Sequence, residues 1–386
     1  MSKFVYADNA ATTKLSKSAL DAMLPWFTEG YGNPSSVYKL GRASRRALDG
    51  ARDQLAKALN AKPEEIVFTG SGTEANNWAL RGLCAELRAK GRHIISSAIE
   101  HHANLHTLED LEKQGYEVTY LPVDEYGRIS LDDLTQAIRE DTILITIMFA
   151  NNEIGTIEPV SEIGAIARAH GVLFHTDAVQ AVGHVPVDVE AMQIDLLSLS
   201  AHKFHGPKGV GALYVRKGIR LPSFITGGGQ ERGRRAGTEN VAGIIGMAKA
   251  LEDSTSHLDE SMARVSALRD KLIRGLTSLP AVHLTGHPTE RLPGIASFTF
   301  ACIEGEALIL MLDAVSIAAS SGSACSSGAL DPSHVLLAIG LPHEVAHGSV
   351  RFSFGEETTE ADVDYILEQV PPIVEKLRAM SPLWEG

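Results

Sequence analysis

Lys203 stands in Asp195-Leu-Leu-Ser-Leu-Ser-Ala-His-Lys203, a run that reads as a strand entering the sharp turn Phe204-His-Gly-Pro-Lys-Gly209. A lysine just past a strand end can aim its amine into a pocket instead of into water. Ser200 and His202 beside it offer donors suited to a phosphate. An amine for a Schiff base with anion donors at hand is the arrangement a pyridoxal-phosphate enzyme needs. Most loop lysines are simply solvated, so this reading depends on what else the chain contributes.

Several other segments carry chemistry of the same kind. Thr69-Gly-Ser-Gly-Thr-Glu-Ala-Asn76 joins a strand to a helix. Its Gly72 and Thr73 let backbone N–H groups at a helix start approach an anion, although a glycine turn before a helix is common by itself. His101 follows Glu100 just past another strand, where an imidazole can stack on a ring and move protons near neutral pH. Asp177 closes a strand, with Gln180 three residues on. A buried carboxylate there needs a partner. A protonated pyridinium nitrogen would serve, and so would the N–H groups of a following helix start. Gly227-Gly-Gly-Gln-Glu-Arg-Gly-Arg-Arg-Ala-Gly-Thr238 is either a flexible loop or a carrier of Thr238 to a phosphate. Asn152 falls at a strand end. Arg351 lies on the strand-like Ser349-Val-Arg-Phe-Ser-Phe354 and suits either a substrate carboxylate or a salt bridge between domains.

The elements that must position these residues alternate. Strands are expected at 66–69, 93–97, 117–121, 142–149, 172–176, 195–200 and 211–215, with helices at 74–89 and 160–169 and one long helical segment at 241–279. Apolar strands flanked by amphipathic helices predict an α/β fold with a mainly parallel sheet covered on both faces. Such sheets bind ligands at the carboxyl ends of their strands, where the candidates cluster. The expected division is a large cofactor-binding domain at 13–257 and a smaller α+β domain formed by 1–12 and 258–386. With 386 residues, 44% hydrophobic and 22% charged, the composition is that of a soluble globular protein. A net charge of −13 argues against a nucleic-acid partner. No apolar stretch approaches the ~20 residues that cross a bilayer, and the amino terminus has no signal-peptide core, so no membrane association and a cytoplasmic location are expected.

Three cysteines, Cys84, Cys302 and Cys325, are too widely spaced for a disulfide framework or a zinc site, and no metal site is expected. Cys84 falls in an apolar helical stretch and Cys302 follows a strand, so both read as structural. Cys325 sits in Ser320-Ser-Gly-Ser-Ala-Cys-Ser-Ser-Gly328, with small residues around it and no apolar periodicity to bury it.

Taken together these segments resemble the cysteine desulfurases, pyridoxal-phosphate enzymes of the class V aminotransferase group. The resemblance runs colinearly from Tyr6-Ala-Asp-Asn-Ala-Ala-Thr-Thr13 and Gly32-Asn-Pro-Ser-Ser36 through Asn151-Asn-Glu-Ile-Gly155, His175-Thr-Asp-Ala-Val-Gln180 and Ser200-Ala-His-Lys203 to Arg235-Ala-Gly-Thr238, the Cys325 loop and Arg351. It departs at Thr226, where many relatives carry histidine. It implies an aminotransferase-like fold with Lys203 as the Schiff-base lysine and His101 as the acid–base histidine stacked on the ring. Asp177 would face the pyridinium nitrogen and Gln180 the phenolic oxygen. Gly72, Thr73, Ser200 and His202 would hold the phosphate, helped by Thr238 from the other subunit of a homodimer. Asn152 and Arg351 would bind the substrate carboxylate. Cys325 would carry the sulfur of L-cysteine as a persulfide, leaving L-alanine.

The acceptor implied by the resemblance is a protein such as an iron–sulfur scaffold, with a transient iron–sulfur contact at Cys325 left open. Two alternatives stand beside this reading. A selenocysteine lyase would tolerate loss of Cys325, and a sulfur-trafficking scaffold would not need the intact lysine, aspartate and histidine set.

Overall fold

Runs such as Thr142-Ile-Leu-Ile-Thr146 and Leu196-Leu-Ser-Leu-Ser200 have no polar face to give to water, so the strands they form must be covered on both sides. The computed structural model describes residues 4–321 and 332–384. Its strands are β1 (Val5–Tyr6), β2 (Ile66–Thr69), β3 (His93–Ser97), β4 (Glu117–Leu121), β5 (Thr142–Thr146), β6 (Leu173–Asp177), β7 (Leu196–Ser200), β8 (Gly211–Val215), β9 (Val282–Thr285), β10 (Ile295–Phe300), β11 (Ile317–Ala318) and β12 (Ser349–Ser353).

Seven strands form one sheet in the order β2-β8-β7-β6-β5-β3-β4. The five strands from β7 to β4 run parallel, and β8 runs antiparallel to both β7 and β2. This is the expected α/β, mainly parallel sheet. Every residue of β2, β3, β5, β7 and β8 is buried, whereas the edge strand β4 exposes Glu117. The other edge is covered by side chains. Glu231 accepts from Phe68 N at 3.0 Å and Arg52 donates to the Ile66 carbonyl, which satisfies outward-facing backbone groups of β2.

A second, antiparallel sheet, β12-β10-β9, packs Phe298, Phe300 and Phe352 into a core of its own. Val5 and Ala7 join that core, β1 pairs in parallel with β11, and Asp8 bridges Ser353. The helices Leu258–Leu276, Gly305–Ala314 and Glu360–Met380 contribute its remaining apolar side chains.

Two expected elements differ. The segment 241–279 is not one helix but two, Val241–Ser256 and Leu258–Leu276, broken at His257 with φ −134° and ψ 31°. The weak helix formers Ser254-Thr-Ser256 end the first, and Asp259 and Glu260 favour a new amino-terminal turn. The strand expected at 142–149 leaves its ladder after Thr146. Ile147 and Phe149 still donate to the His175 and Asp177 carbonyls, which keeps this stretch against the end of β6.

Glu158, just beyond that stretch, is buried. One carboxyl oxygen accepts from Ile129 N at 3.2 Å, and the other has no partner among the described residues. Burial is the main cause that pushes its carboxyl up to about 8. Between the ordinary glutamate value near 4.5 and about 8, the folded chain keeps a proton that the unfolded chain has released. Its contribution is therefore whole at low pH and is lost as pH rises through that window. Relative to Glu158→Gln, the wild type should lose up to about 1.4 kcal/mol of stability per pH unit there. Urea-unfolding midpoints across the window check this, and parallel profiles for the two proteins would refute it.

Candidate active site

Beyond the carboxyl ends of β3, β5, β6 and β7 the chain encloses a cavity of about 290 Å³. Ten of the twelve residues singled out in the sequence line it: Gly72, Thr73, His101, Asn152, Asp177, Gln180, Ser200, His202, Lys203 and Arg351. Thr238 does not. It is exposed, on a segment lying elsewhere on the same chain. Cys325 lies outside the described residues.

Lys203 ends a single turn, Ala201–Lys203, directly after β7. Its Nζ donates to the carbonyls of Ala10 and Ala11 at 2.6 and 2.9 Å. Gln180 Nε2 donates to the same Ala10 carbonyl at 2.9 Å. The segment 8–13, with its turn at Asn9–Ala11, is thus a wall of the cavity, fastened by Thr13 N to the His202 carbonyl and by Ala10 N to Ser353 Oγ.

Asp177 is 5% exposed, and each of its carboxylate oxygens is engaged. Oδ1 accepts from Val179 N at 3.0 Å and Oδ2 from Asn76 Nδ2 at 2.6 Å. The capping contact weighed in the sequence is therefore present as a local turn, with one oxygen committed elsewhere. Gly72 and Thr73 open the helix Gly72–Leu87, two residues before the expected start, and Ser71 caps it by accepting from Glu74 N. A Cβ at Gly72 would meet Val179 Cγ2 at 2.6 Å, so only glycine lets this helix end close on the cavity wall.

His101 caps the helix His102–Glu112, its Nδ1 accepting from Ala103 N at 3.0 Å. In the neutral ring that contact leaves the proton on Nε2. Burial first, and Lys203 among the nearby cations, hold His101 below the ordinary histidine range against the pull of Asp177. His202 is held down to about 4 by burial and by Lys203 and Lys208, so its ring is neutral at pH 7, with Nδ1 3.0 Å from Thr12 Oγ1.

Arg351 sits on β12, 1% exposed. Its guanidinium contacts Asp8 Oδ1 at 2.9 Å and the Asn152 carbonyl at 2.6 Å. The residue is thus ion-paired, as one of the two sequence readings expected, and it also lines the cavity.

The aminotransferase class-V family matches residues 5–366. A cysteine desulfurase IscS of Methanosarcina thermophila is 58% identical over 381 residues, covering 99% of this chain and 94% of that protein. The chain belongs to the cysteine desulfurases of the class V aminotransferase family. Among solved structures, a NifS-like protein superposes with a TM-score of 0.92 at 40% identity, covering 97% of this chain and all of that one. SspA in complex with cysteine reaches a TM-score of 0.81 at 36% identity, over 92% of this chain and all of that one.

This family implies pyridoxal phosphate, and the cavity of this desulfurase fits it. Anion donors at the start of the helix Gly72–Leu87, a buried carboxylate and a lysine amine all face one space. Sequence reasoning missed Asn76, which shares a helix face with Thr73 three residues earlier, and Asp8, which reaches Arg351 across 343 positions. It also missed the carbonyls of Ala10 and Ala11, since backbone acceptors leave no residue-type signal.

The segment bearing Thr238 is held by ion pairs to its own chain: Arg235 to Glu74, Arg45 to Glu239, and the buried pair of Arg52 with Glu231. Arg52 donates to both Glu231 oxygens, at 3.0 and 2.7 Å. Arg52→Met removes the cation and leaves the buried Glu231 carboxylate beside Glu239, with the Phe68 N–H donating to it. It should cost about 3–5 kcal/mol in urea unfolding. A loss below ~1 kcal/mol, the range of exposed pairs, would mean that water reaches Glu231.

Proposed function

We propose that this desulfurase converts L-cysteine to L-alanine with pyridoxal phosphate held in the cavity, and passes the sulfur through Cys325. The observation that carries the reading is the convergence of Lys203, Asp177 and Arg351 on one space. The backbone N–H groups at Gly72 and Thr73, with Thr73, Ser200 and neutral His202, would hold the phosphate. Asp177 would face the ring nitrogen and Gln180 the phenolic oxygen. When bound, the cofactor supplies a carbonyl that condenses with the substrate amine and a ring that stores the electron pair left at Cα.

The side chains do the rest. Arg351, oriented by Asp8 and the Asn152 carbonyl, presents its planar fork to the substrate carboxylate, with Asn152 beside it. Lys203 Nζ is the attachment point. Once released, it takes the Cα proton of cysteine, with the Ala10 and Ala11 carbonyls in reach of the ammonium that results. His101 exchanges protons at Nε2. The Cys325 thiolate attacks the substrate sulfur, a sulfur–sulfur bond forms as the carbon–sulfur bond breaks, and protons replace sulfur on what leaves as L-alanine. A cysteine-bound relative supports L-cysteine as the substrate class.

A homodimer would deliver Thr238 to the cavity of a second copy. The face carrying it supports this. Ser35 Oγ donates to Gln230 at 2.8 Å, joining the Thr238 segment to a stretch with exposed apolar side chains, among them Tyr31 at 71% and Val37 at 85%. The acceptor we assign is an iron–sulfur cluster scaffold, as the family resemblance implies. No helix among the described residues is long and apolar enough to cross a membrane.

The test is alanine released from L-cysteine, with reductant, by three proteins. Wild type should turn over. Lys203→Ala should fall by about 10²–10⁴-fold. Cys325→Ser should bind substrate but form no persulfide and release no alanine. Full activity in Cys325→Ser would overturn the sulfur route. Alanine from none of the three, but turnover of selenocysteine by the wild type, would make the enzyme a selenocysteine lyase.

A further inference from the structure

Asn76 is 1% exposed and lies on the helix Gly72–Leu87 one turn beyond Thr73. Three residues along a helix advance about 4.5 Å and return to nearly the same face. The helix whose first turn offers anion donors therefore also places a side-chain amide at the Asp177 carboxylate. The contact is short, 2.6 Å from Nδ2 to Oδ2. A carboxylate oxygen requires a donor, so the amide nitrogen must face Asp177 and the amide oxygen must point away. That oxygen is buried without a partner among the described residues. Leaving a buried acceptor unmet costs folding free energy. The amide is thus poorly explained as packing, and well explained by its one contact.

We propose that Asn76 is a positioning residue for Asp177: its amide holds the carboxylate in the orientation in which it would meet the ring nitrogen of the bound cofactor. The inference rests on the assignment of Asp177 to that nitrogen. The Val179 N–H does the same from Oδ1, but it belongs to the backbone and is fixed by the turn. Asn76 is the side chain through which this orientation is set. It also links the two ends of the cofactor site mechanically, because one rigid helix carries both the phosphate donors and the amide.

The test is a double-mutant cycle on the apoprotein, reading its Kd for pyridoxal phosphate and the pH titration of the bound cofactor's absorbance. Asn76→Leu keeps the branched shape and heavy-atom count and removes the donor, and Asn76→Ala carries the same test if the variant with the larger leucine does not fold. Asn76→Leu should weaken cofactor binding by roughly ten- to a hundredfold, the range for a hydrogen bond to a charged group. It should also displace the absorbance titration of the bound cofactor. In an Asp177→Ala background the same substitution should change Kd by less than about twofold, because its partner is gone. Wild-type affinity and titration in Asn76→Leu, with both altered in Asp177→Ala, would overturn the role of Asn76 and leave Asp177 assigned. Equal weakening in both backgrounds would make Asn76 a packing residue and overturn it too. Wild-type behaviour of Asp177→Ala itself would remove the assignment of Asp177, and the inference with it.

Discussion

A short connecting segment, Asp8 to Thr13, turns at Asn9–Ala11, where Ala11 N donates to the Asp8 carbonyl, and joins the two cores; the shape of the cavity depends on it. At one end Asp8 holds the Arg351 guanidinium, and Ser353 N donates to the Ala7 carbonyl. At the other, Thr13 bonds the His202 carbonyl through both its N–H and its hydroxyl, and His205 N returns to Thr13 Oγ1. Between them the Ala10 carbonyl takes donors from Lys203 and Gln180 together. The lysine turn after β7 and the arginine on β12 belong to different sheets and different cores. Their separation across the cavity is set by how this backbone lies between them. Backbone serves here better than side chains, since a carbonyl held in a turn loses no rotamer freedom when it accepts a bond.

Burial also decides which groups around the cavity keep a charge. It holds His101 and His202 neutral, and it pushes Glu100 up to about 7 and Glu153 above the ordinary carboxylate range. The three groups to which the proposed chemistry is assigned are treated differently. Asp177 receives two donors, the Lys203 amine meets two carbonyls, and Arg351 meets a carboxylate and a carbonyl. A buried charge persists only where such partners are built in. Glu100 is the instructive contrast. Three donors reach it, from Ser97, Asn104 and Met148 N, and burial still outweighs them. Its part is to hold β3, β5 and the helix start at His102 in one arrangement. The Glu100 carbonyl extends this by accepting from His334.

The large sheet was legible in the sequence because its strands are apolar runs closed by turn residues. Strands β2, β3, β4 and β8 span the residues expected of them. Where the signal was weaker the boundaries moved. The break at His257 follows a Ser-Thr-Ser run inside an otherwise helical pattern, and no glycine or proline marks it. The candidate residues could be named one at a time from their types, but the roles given to most of them came from the family resemblance. Asn76 escaped notice because an asparagine one turn into a helix resembles any polar helix residue until the opposing strand end is known. Asp8 and Arg351 escaped as a pair because nothing local relates the two ends of the chain. Thr238 stands clear of its own chain's cavity because the path of the segment that bears it is set by ion pairs to distant residues, which local residue types do not reveal.

The choice among three cysteines follows from what a sulfur-accepting thiol must be. It must become a thiolate near neutral pH and must reach both the substrate and an acceptor. Cys84 is fully buried under the large sheet, and desolvation pushes its thiol up to about 12, so it is inert. Cys302 is half-buried, and its Sγ donates to the Leu383 carbonyl at 3.2 Å. Neither lines the cavity. Packing a sulfur well enough to place it inside the site would raise its pKa as it does for Cys84. A thiol meant to react has to be carried by a segment without apolar anchors, and the serine- and glycine-rich sequence around Cys325 is of that composition. The demand for ionisation and the demand for reach thus favour the same kind of sequence; composition set Cys325 apart from the other two cysteines, and the family resemblance supplied the role proposed for it.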